Sequence, residues 1–325
     1  MIRAVLLFLL ISSAASASAQ TLPGTDPLTL SVSPLYPRPY QTVSIAPRST
    51  LLDLSASTVR VTVDGDVVYE GSGTQATTVR SGAFGERTTI VVTVTDPFGK
   101  TYTRTQILRP AEVSLVLEPV STTHPFYQGG SLVSSEGKVR LVALADFRSG
   151  PGTRLPPSSL VYTWRLGNRI LADSSGIGRS TLTATAPVRH RNADVSVTVT
   201  SPDSSLVGEA RTLISAIDPV ARIYRNDPLL GPNFDVALSG NFSMPDTEAT
   251  FRAVGYFFAV PPTFAWTVNK ATNGTDKDIT VRATGNGQGT ARLGVTVLES
   301  GTRTSAENNV AVTFGSSTGF GFFGL

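Results

Sequence analysis

The sequence predicts an all-β protein: three β-sandwich units in tandem, placed after an export signal. Three observations predict it. The chain of 325 residues has only 16% charged residues, with 29 Gly, 21 Pro and abundant Thr, Ser and Val, a balance that favours strands and turns over amphipathic helices. Segments such as TVRVTV and DVSVTVT alternate apolar and polar residues, the period of a half-buried strand. The same succession of strand and turn residues also recurs along the chain, which marks a repeated structural unit.

Residues 1–19 carry the three regions of a secretory signal. Arg3 supplies the positive start, Ala4–Ile11 is a short apolar stretch, and Ser12–Ala19 are small residues that end in Ala17-Ser18-Ala19, with cleavage expected before Gln20. Eight apolar residues fall short of the ~20 needed to cross a bilayer. No later segment is long and apolar enough either, so the mature chain is expected to lack a membrane span. Cysteine is absent, which excludes disulfides, thiolate metal sites and lipid attachment through sulfur; each unit must be held by its own core.

The first unit is expected over 28–110. Its VTVDGDVVYEGSG, from Val61, matches WRLGNRILADSSG, from Trp164, 103 positions later. Both place apolar residues first and third, then a two-residue turn (Asp64-Gly65 or Gly167-Asn168), an apolar pair, an acidic residue and Ser-Gly. Those turn residues tolerate the positive φ of tight hairpins. Val92-Thr93-Val94-Thr95 and Val197-Thr198-Val199-Thr200 then match 105 positions apart, with Pro97 and Pro202 ending each ladder. The second unit is expected over 111–217.

The third unit, over 218–314, repeats the pattern more loosely. Phe264-Ala265-Trp266-Thr267-Val268-Asn269 echoes Tyr162 to Gly167 at an offset of 102, and Leu293–Val297 replaces the late strand. About seven short strands per ~100 residues describe a sandwich of immunoglobulin type. The two tryptophans occupy one repeat position, where such sandwiches bury a large aromatic, and the first unit has Val61 there. The joints at 108–111 and 215–219 hold almost no Gly/Ser linker, so a semi-rigid rod is expected.

The stretch YTWRLGNRILADSSGIGRSTLTATAP, Tyr162 to Pro187, resembles bacterial Ig-like and polycystic-kidney-disease-type (PKD) repeats of exported surface proteins. WRLGN stands where PKD repeats carry a Trp-Asp-Phe-Gly-Asp-Gly box. The resemblance implies an extracellular spacer or adhesive role and brings no active site.

Little in the sequence points to catalysis. His124 and His190 are the only histidines, in STTHPFYQGG and between two arginines, and no GxSxG elbow or HExxH helix is present. No cofactor is expected. Calcium candidates are Asp64 and Asp66, Asp276 and Asp278, and Asp218, but no DxDxDG loop accompanies them, and turn or loop roles explain them better. Asn241 and Asn273 head N-glycosylation patterns and are read as loop markers. Tyr256-Phe257-Phe258 offers either a sugar platform or, with Phe251 and Val254, core packing, which is the simpler reading. A net charge of +3 without any Lys/Arg run argues against nucleic acid as a partner.

Residues 315–325 form a Gly-spaced aromatic tail, and Phe320, Phe322, Phe323 and Leu325 are candidate docking residues for a partner's sheet edge or a membrane surface. The expectation is a secreted or envelope-located structural or adhesive protein, a stalk without catalytic activity. The alternative is a soluble extracellular module that recognises glycan or an envelope protein.

Overall fold

The computed structural model describes residues 26–315, apart from 74, 151, 285–287 and 303. The expected signal at 1–19 and the docking residues Phe320, Phe322, Phe323 and Leu325 lie outside these residues. The chain is all-β, with two single-turn 3-10 segments as its only helical structure among the described residues. Its strands form three successive two-sheet sandwiches.

The first sandwich contains β1 (Thr29–Ser33), β2 (Thr42–Arg48), β3 (Thr58–Val63), β4 (Asp66–Ser72), β5 (Thr77–Arg80), β6 (Thr88–Thr95) and β7 (Thr101–Leu108). Its sheets run β1-β2-β5 and β4-β3-β6-β7. The second contains β8 (Glu112–Val120), β9 (Lys138–Asp146), the small pair β10 (Arg148–Ser149) and β11 (Thr153–Arg154), β12 (Val161–Leu166), β13 (Arg169–Ile170), β14 (Gly176–Ile177), β15 (Thr181–Thr185), β16 (Asn192–Thr200) and β17 (Val207–Ser215). Sheet β15-β9-β8 faces sheet β13-β12-β16-β17. The third contains β18 (Val220–Asp227), β19 (Gly231–Pro232), β20 (Gly240–Ser243), β21 (Glu248–Tyr256), β22 (Thr263–Val268), β23 (Ala271–Gly274), β24 (Asp278–Arg282), β25 (Gly289–Leu298) and β26 (Ser305–Phe314). Its sheets are β19-β18-β21-β24 and β20-β26-β25-β22-β23.

The repeat read from the sequence is a repeat of strand register. Val61 pairs with Val92, Trp164 with Val197 and Trp266 with Val295. Alternation holds as expected: Val92 and Val94, then Val195, Val197 and Val199, are buried, and the intervening residues are half-exposed. Both tryptophans are fully buried between their sheets, and each indole donates to a carbonyl of the loop beyond the hairpin, Arg179 at 2.9 Å and Asp276 at 2.8 Å. Among the described residues the first sandwich has no fully buried aromatic; Val43, Ile45, Val59, Val61, Ile90, Val92 and Val94 fill it with aliphatic side chains.

The hairpin after each of these strands also recurs. Asp64 and Gly65 both have positive φ, the backbone of a type I′ turn, and Gly167 has positive φ in the second copy. In the third, Asn269 (φ 52°) and Lys270 (φ 73°) make the same turn without glycine. Asp64 Oδ1 accepts the N–H of Thr89, and Asn269 Oδ1 accepts that of Arg292, so the turn side chain anchors the start of the late strand in both copies. Each of these two hairpins carries a bulge, with Val68 and Asn273 as the extra residues.

One sequence reading needs correction and another needs refinement. Asn241 and Asn273 are not in loops: they lie in β20 and β23, short strands at the two edges of one sheet. Their polar, Gly-containing sequences hide that pairing, because edge strands need no apolar face. The aromatic run at 256–258 is split between two cores, as described below.

The described chain divides into two compact units. One holds Ser44–Val79 and Thr89–Gln106 with the residues up to Val32, and the other holds Ser33–Val43, Arg80–Thr88 and the residues from Ile107 on. The second and third sandwiches therefore share one unit. A strap between β8 and β9, residues 121–137, ties them together. Thr122 donates its N–H to the Phe258 carbonyl (2.8 Å), accepts that of Phe257 (2.7 Å) and takes the Phe258 N–H on its hydroxyl (3.1 Å). Ile217 then donates to Val133 (2.9 Å), and Arg189 pairs with Asp218 across the joint (3.1 Å). The short joint is thus one of two connections.

Candidate binding surface

The site grows out of β21, a strand buried on both faces. Phe251 and Ala253 point into the intersheet core with Trp266 and Phe258. Val254 and Tyr256 point to the other face and, with Tyr224 of β18 and Phe257, make a second apolar cluster. An outer sheet face this apolar must be covered, and the strap covers it. Tyr127 packs on Tyr256 (ring centroids 5.5 Å apart) and edge-on to Phe257 (5.7 Å). The Tyr224 and Tyr256 hydroxyls bond to each other at 2.9 Å. Burial, and then the Tyr224 hydroxyl, push the Tyr256 phenol well above its ordinary range. The expected packing role of Tyr256-Phe257-Phe258 holds, divided between two clusters, and none of the three offers a free face.

The exposed aromatic lies one step further out. The His124 ring lies tilted by 39° against Phe234 (3.8 Å) and 5.3 Å from Phe126, whose ring is stacked at 29° on Phe234 at 5.8 Å. The Phe126 N–H donates to His124 Nδ1 at 3.2 Å, so that nitrogen carries no proton. Burial, and then the Arg252 charge, hold His124 below the ordinary histidine range. Arg252 is itself held by two hydrogen bonds to Asp278, at 2.8 and 2.5 Å, and Asn226 donates to the same carboxylate. Phe126 remains 73% exposed.

Opposite Phe126 stands the β18–β19 hairpin, Asp227-Pro228-Leu229-Leu230-Gly231. Asp227 Oδ1 accepts the N–H groups of Leu229 (2.9 Å) and Leu230 (3.1 Å), which also draw its carboxyl below the usual range. Pro228 has no N–H to satisfy, and Gly231 supplies the positive φ that closes the turn. This local wiring holds both leucines in solvent, 93% and 90% exposed. Between hairpin and strap lies an open groove of about 590 Å³, lined by the apolar Phe126, Phe234 and Pro232 and the polar Arg225, Asp235 and Gln128.

The other sequence candidates are scattered. His190 is exposed, in the connection between β15 and β16, 66 residues from His124 in sequence. Asp64 serves its turn, Asp278 pairs with Arg252, and Asp218 pairs with Arg189. The Asp276 carbonyl receives the Trp266 indole, and Asp66 opens β4 on the surface. Among the described residues no group of three or more His, Asp or Glu side chains converges as a metal site. The groove itself escaped the sequence reading. Its one legible signal is the aromatic pair of HPFY, whose Phe126 meets Phe234 only in the fold.

No family model matches the sequence, and no curated protein does. Solved structures resemble it in fold only. The three N-terminal domains of the bacteriophage RB49 outer capsid protein Hoc align at 12% identity over 88% of this chain and 98% of that one, with a TM-score of 0.28. Sidekick-1 immunoglobulin domains 1–5 align at 9% identity over 90% and 60%, TM-score 0.31. Bacteroides ovatus SGBP-B, solved with a mixed-linkage heptasaccharide, aligns at 15% over 88% and 70%, TM-score 0.22. Scores at this level decide nothing about the site; the assignment to tandem immunoglobulin-like sandwiches rests on sheet order and register. Among the described residues, no helix is long and apolar enough to cross a membrane.

Proposed function

We propose that the protein is an exported, non-catalytic surface or envelope protein of the bacterial Ig-like and PKD-like kind, whose sandwiches (28–110, 111–217 and 218–314) act as a stalk. The observation that carries this reading is the strap-locked pair of sandwiches, a firm support in which the charged groups with shifted pKa values are spent on structure. Asp53, Asp203 and Asp227 cap turns, and Asp146, Arg211 and Arg252 sit in ion pairs. Their shifted pKa values follow from those bonds and leave no acid and base poised against each other. Export rests on the pattern of residues 1–19, and attachment on Phe320, Phe322, Phe323 and Leu325. N-terminal sequencing of the protein recovered from cells tests export: a mature chain that begins at Gln20 outside the cytoplasm is expected, and an intact Met1 terminus on a cytoplasmic chain sinks the proposal.

A second reading, a soluble extracellular module that binds glycan or an envelope protein, is favoured by one observation: the exposed Phe126 lines a groove together with uncommitted polar groups.

A further inference from the structure

We propose that the groove between the strap and the β18–β19 hairpin binds a neutral oligosaccharide, with Phe126 as the stacking face and Asp235, Gln128 and Arg225 as the hydroxyl-binding groups. This rests on the binding-module reading and gives it a ligand class.

A pyranose presents two chemistries at once: a C–H face that is apolar, and a rim of hydroxyls that both donate and accept hydrogen bonds. The first needs an exposed ring of fixed orientation. Phe126 is 73% exposed, yet its backbone is pinned by His124 Nδ1 and its ring is stacked at 29° on Phe234. A ring held this way gives up little freedom on binding. The electron-rich face of an aromatic suits a polarised C–H surface.

The rim needs acceptors and donors together. Asp235 offers a carboxylate, Gln128 an amide with both functions, and Arg225 a guanidinium. None of these three side chains has a hydrogen bond or ion pair among the described residues, in contrast to the committed Arg252–Asp278 and Arg282–Glu248 pairs, although the Arg225 charge is near enough to help lower the Asp227 carboxyl. Asp227 and Asn233 each use one side-chain oxygen on the local backbone, which fixes them and leaves their remaining atoms to the groove. The volume of about 590 Å³ falls within the range of small-ligand sites.

Charge and edge chemistry narrow the class. Two carboxylates, Asp227 and Asp235, oppose one guanidinium, Arg225, so uronates and phosphorylated sugars are repelled. An extended peptide is disfavoured as well: the neighbouring edge strand, β19, is two residues long and one is Pro232, which has no N–H to pair. Leu229, the most exposed apolar residue of the hairpin, lies outside the groove lining.

The test is isothermal titration of the full-length protein with cellohexaose, maltohexaose and mannohexaose as neutral probes and hexagalacturonate as the acidic one. At least one neutral probe is expected to bind with a Kd between about 1 μM and 1 mM. Phe126→Ala and Asp235→Ala should each weaken it by about tenfold or more, at roughly 1.4 kcal/mol per tenfold. Phe126→Tyr should retain binding, and Phe98→Ala, on the first sandwich, should leave it unchanged. Circular dichroism on each variant checks that the fold persists. The proposal is overturned if no neutral probe binds at 10 mM, if hexagalacturonate binds more tightly than the neutral probes, or if Phe126→Ala binds as the parent does. Cellular location is measured separately, so a surface protein that ignores all four probes keeps the stalk reading and loses this one.

Discussion

Trp164 and Trp266 show why a single repeat position could be read so far in advance. Each combines full burial with a committed indole N–H, so shape and hydrogen bonding fix it together. Trp266→Ala should cost about 3–5 kcal/mol, through the cavity and the orphaned Asp276 carbonyl, and urea denaturation measures it. Lys270 points the other way. It holds φ 73° where an I′ turn prefers glycine, so Lys270→Gly should raise stability by about 1 kcal/mol in the same assay. That turn was hidden in the sequence because Asn-Lys lacks the glycine signal that marked Asp64-Gly65. His124 was visible only as an isolated histidine. Its pKa is lowered in the fold, so in the window below the ordinary 6.5 the unfolded chain binds the proton first. Its contribution to stability is therefore present above pH 6.5 and lost as pH falls through the folded pKa, when Nδ1 gains a proton and the Phe126 N–H loses its acceptor. Melting temperature should fall on acidification across that range, and His124→Phe should flatten the response.

The elements were legible wherever a local period or turn rule sufficed. The Val-Thr-Val-Thr strands, their proline stops and the hairpins at 64–65 and 167–168 all follow from side-chain alternation and backbone sterics, which act between neighbours in sequence. The strap did not follow, because STTHPFYQGG has no period and its partners lie more than a hundred residues away. The double burial of β21 was missed for the same reason: an outer face rich in tyrosine reads as core until the covering segment is known. Thr122 is the clamp between strap and β21. Thr122→Pro removes the N–H given to Phe258 and should speed hydrogen exchange at the Phe257 and Phe258 amides by about tenfold or more, while amides of the first sandwich keep their rates. Unchanged exchange at 257 and 258 would mean that the strap contributes no protection.

At the scale of the whole molecule, a chain without cysteine builds its cores from Val, Ile and Leu, with Trp164, Trp266, Phe147, Tyr162, Phe251 and Phe258 in the last two, and couples the last two sandwiches by a strap and an ion pair. Such a body suits a support that presents a groove, and it asks for a means of export and of attachment. The residue pattern of 1–19 and the phenylalanines of the tail are the parts we propose for those tasks. The measurement that tests the central claim most directly is fractionation of cells that make the full-length chain beside cells whose chain lacks residues 315–325. Export followed by tail-mediated attachment predicts full-length protein in the envelope fraction and the shortened protein released into the medium or soluble extract. Full-length protein that stays in the cytoplasm, still carrying residues 1–19, would contradict it.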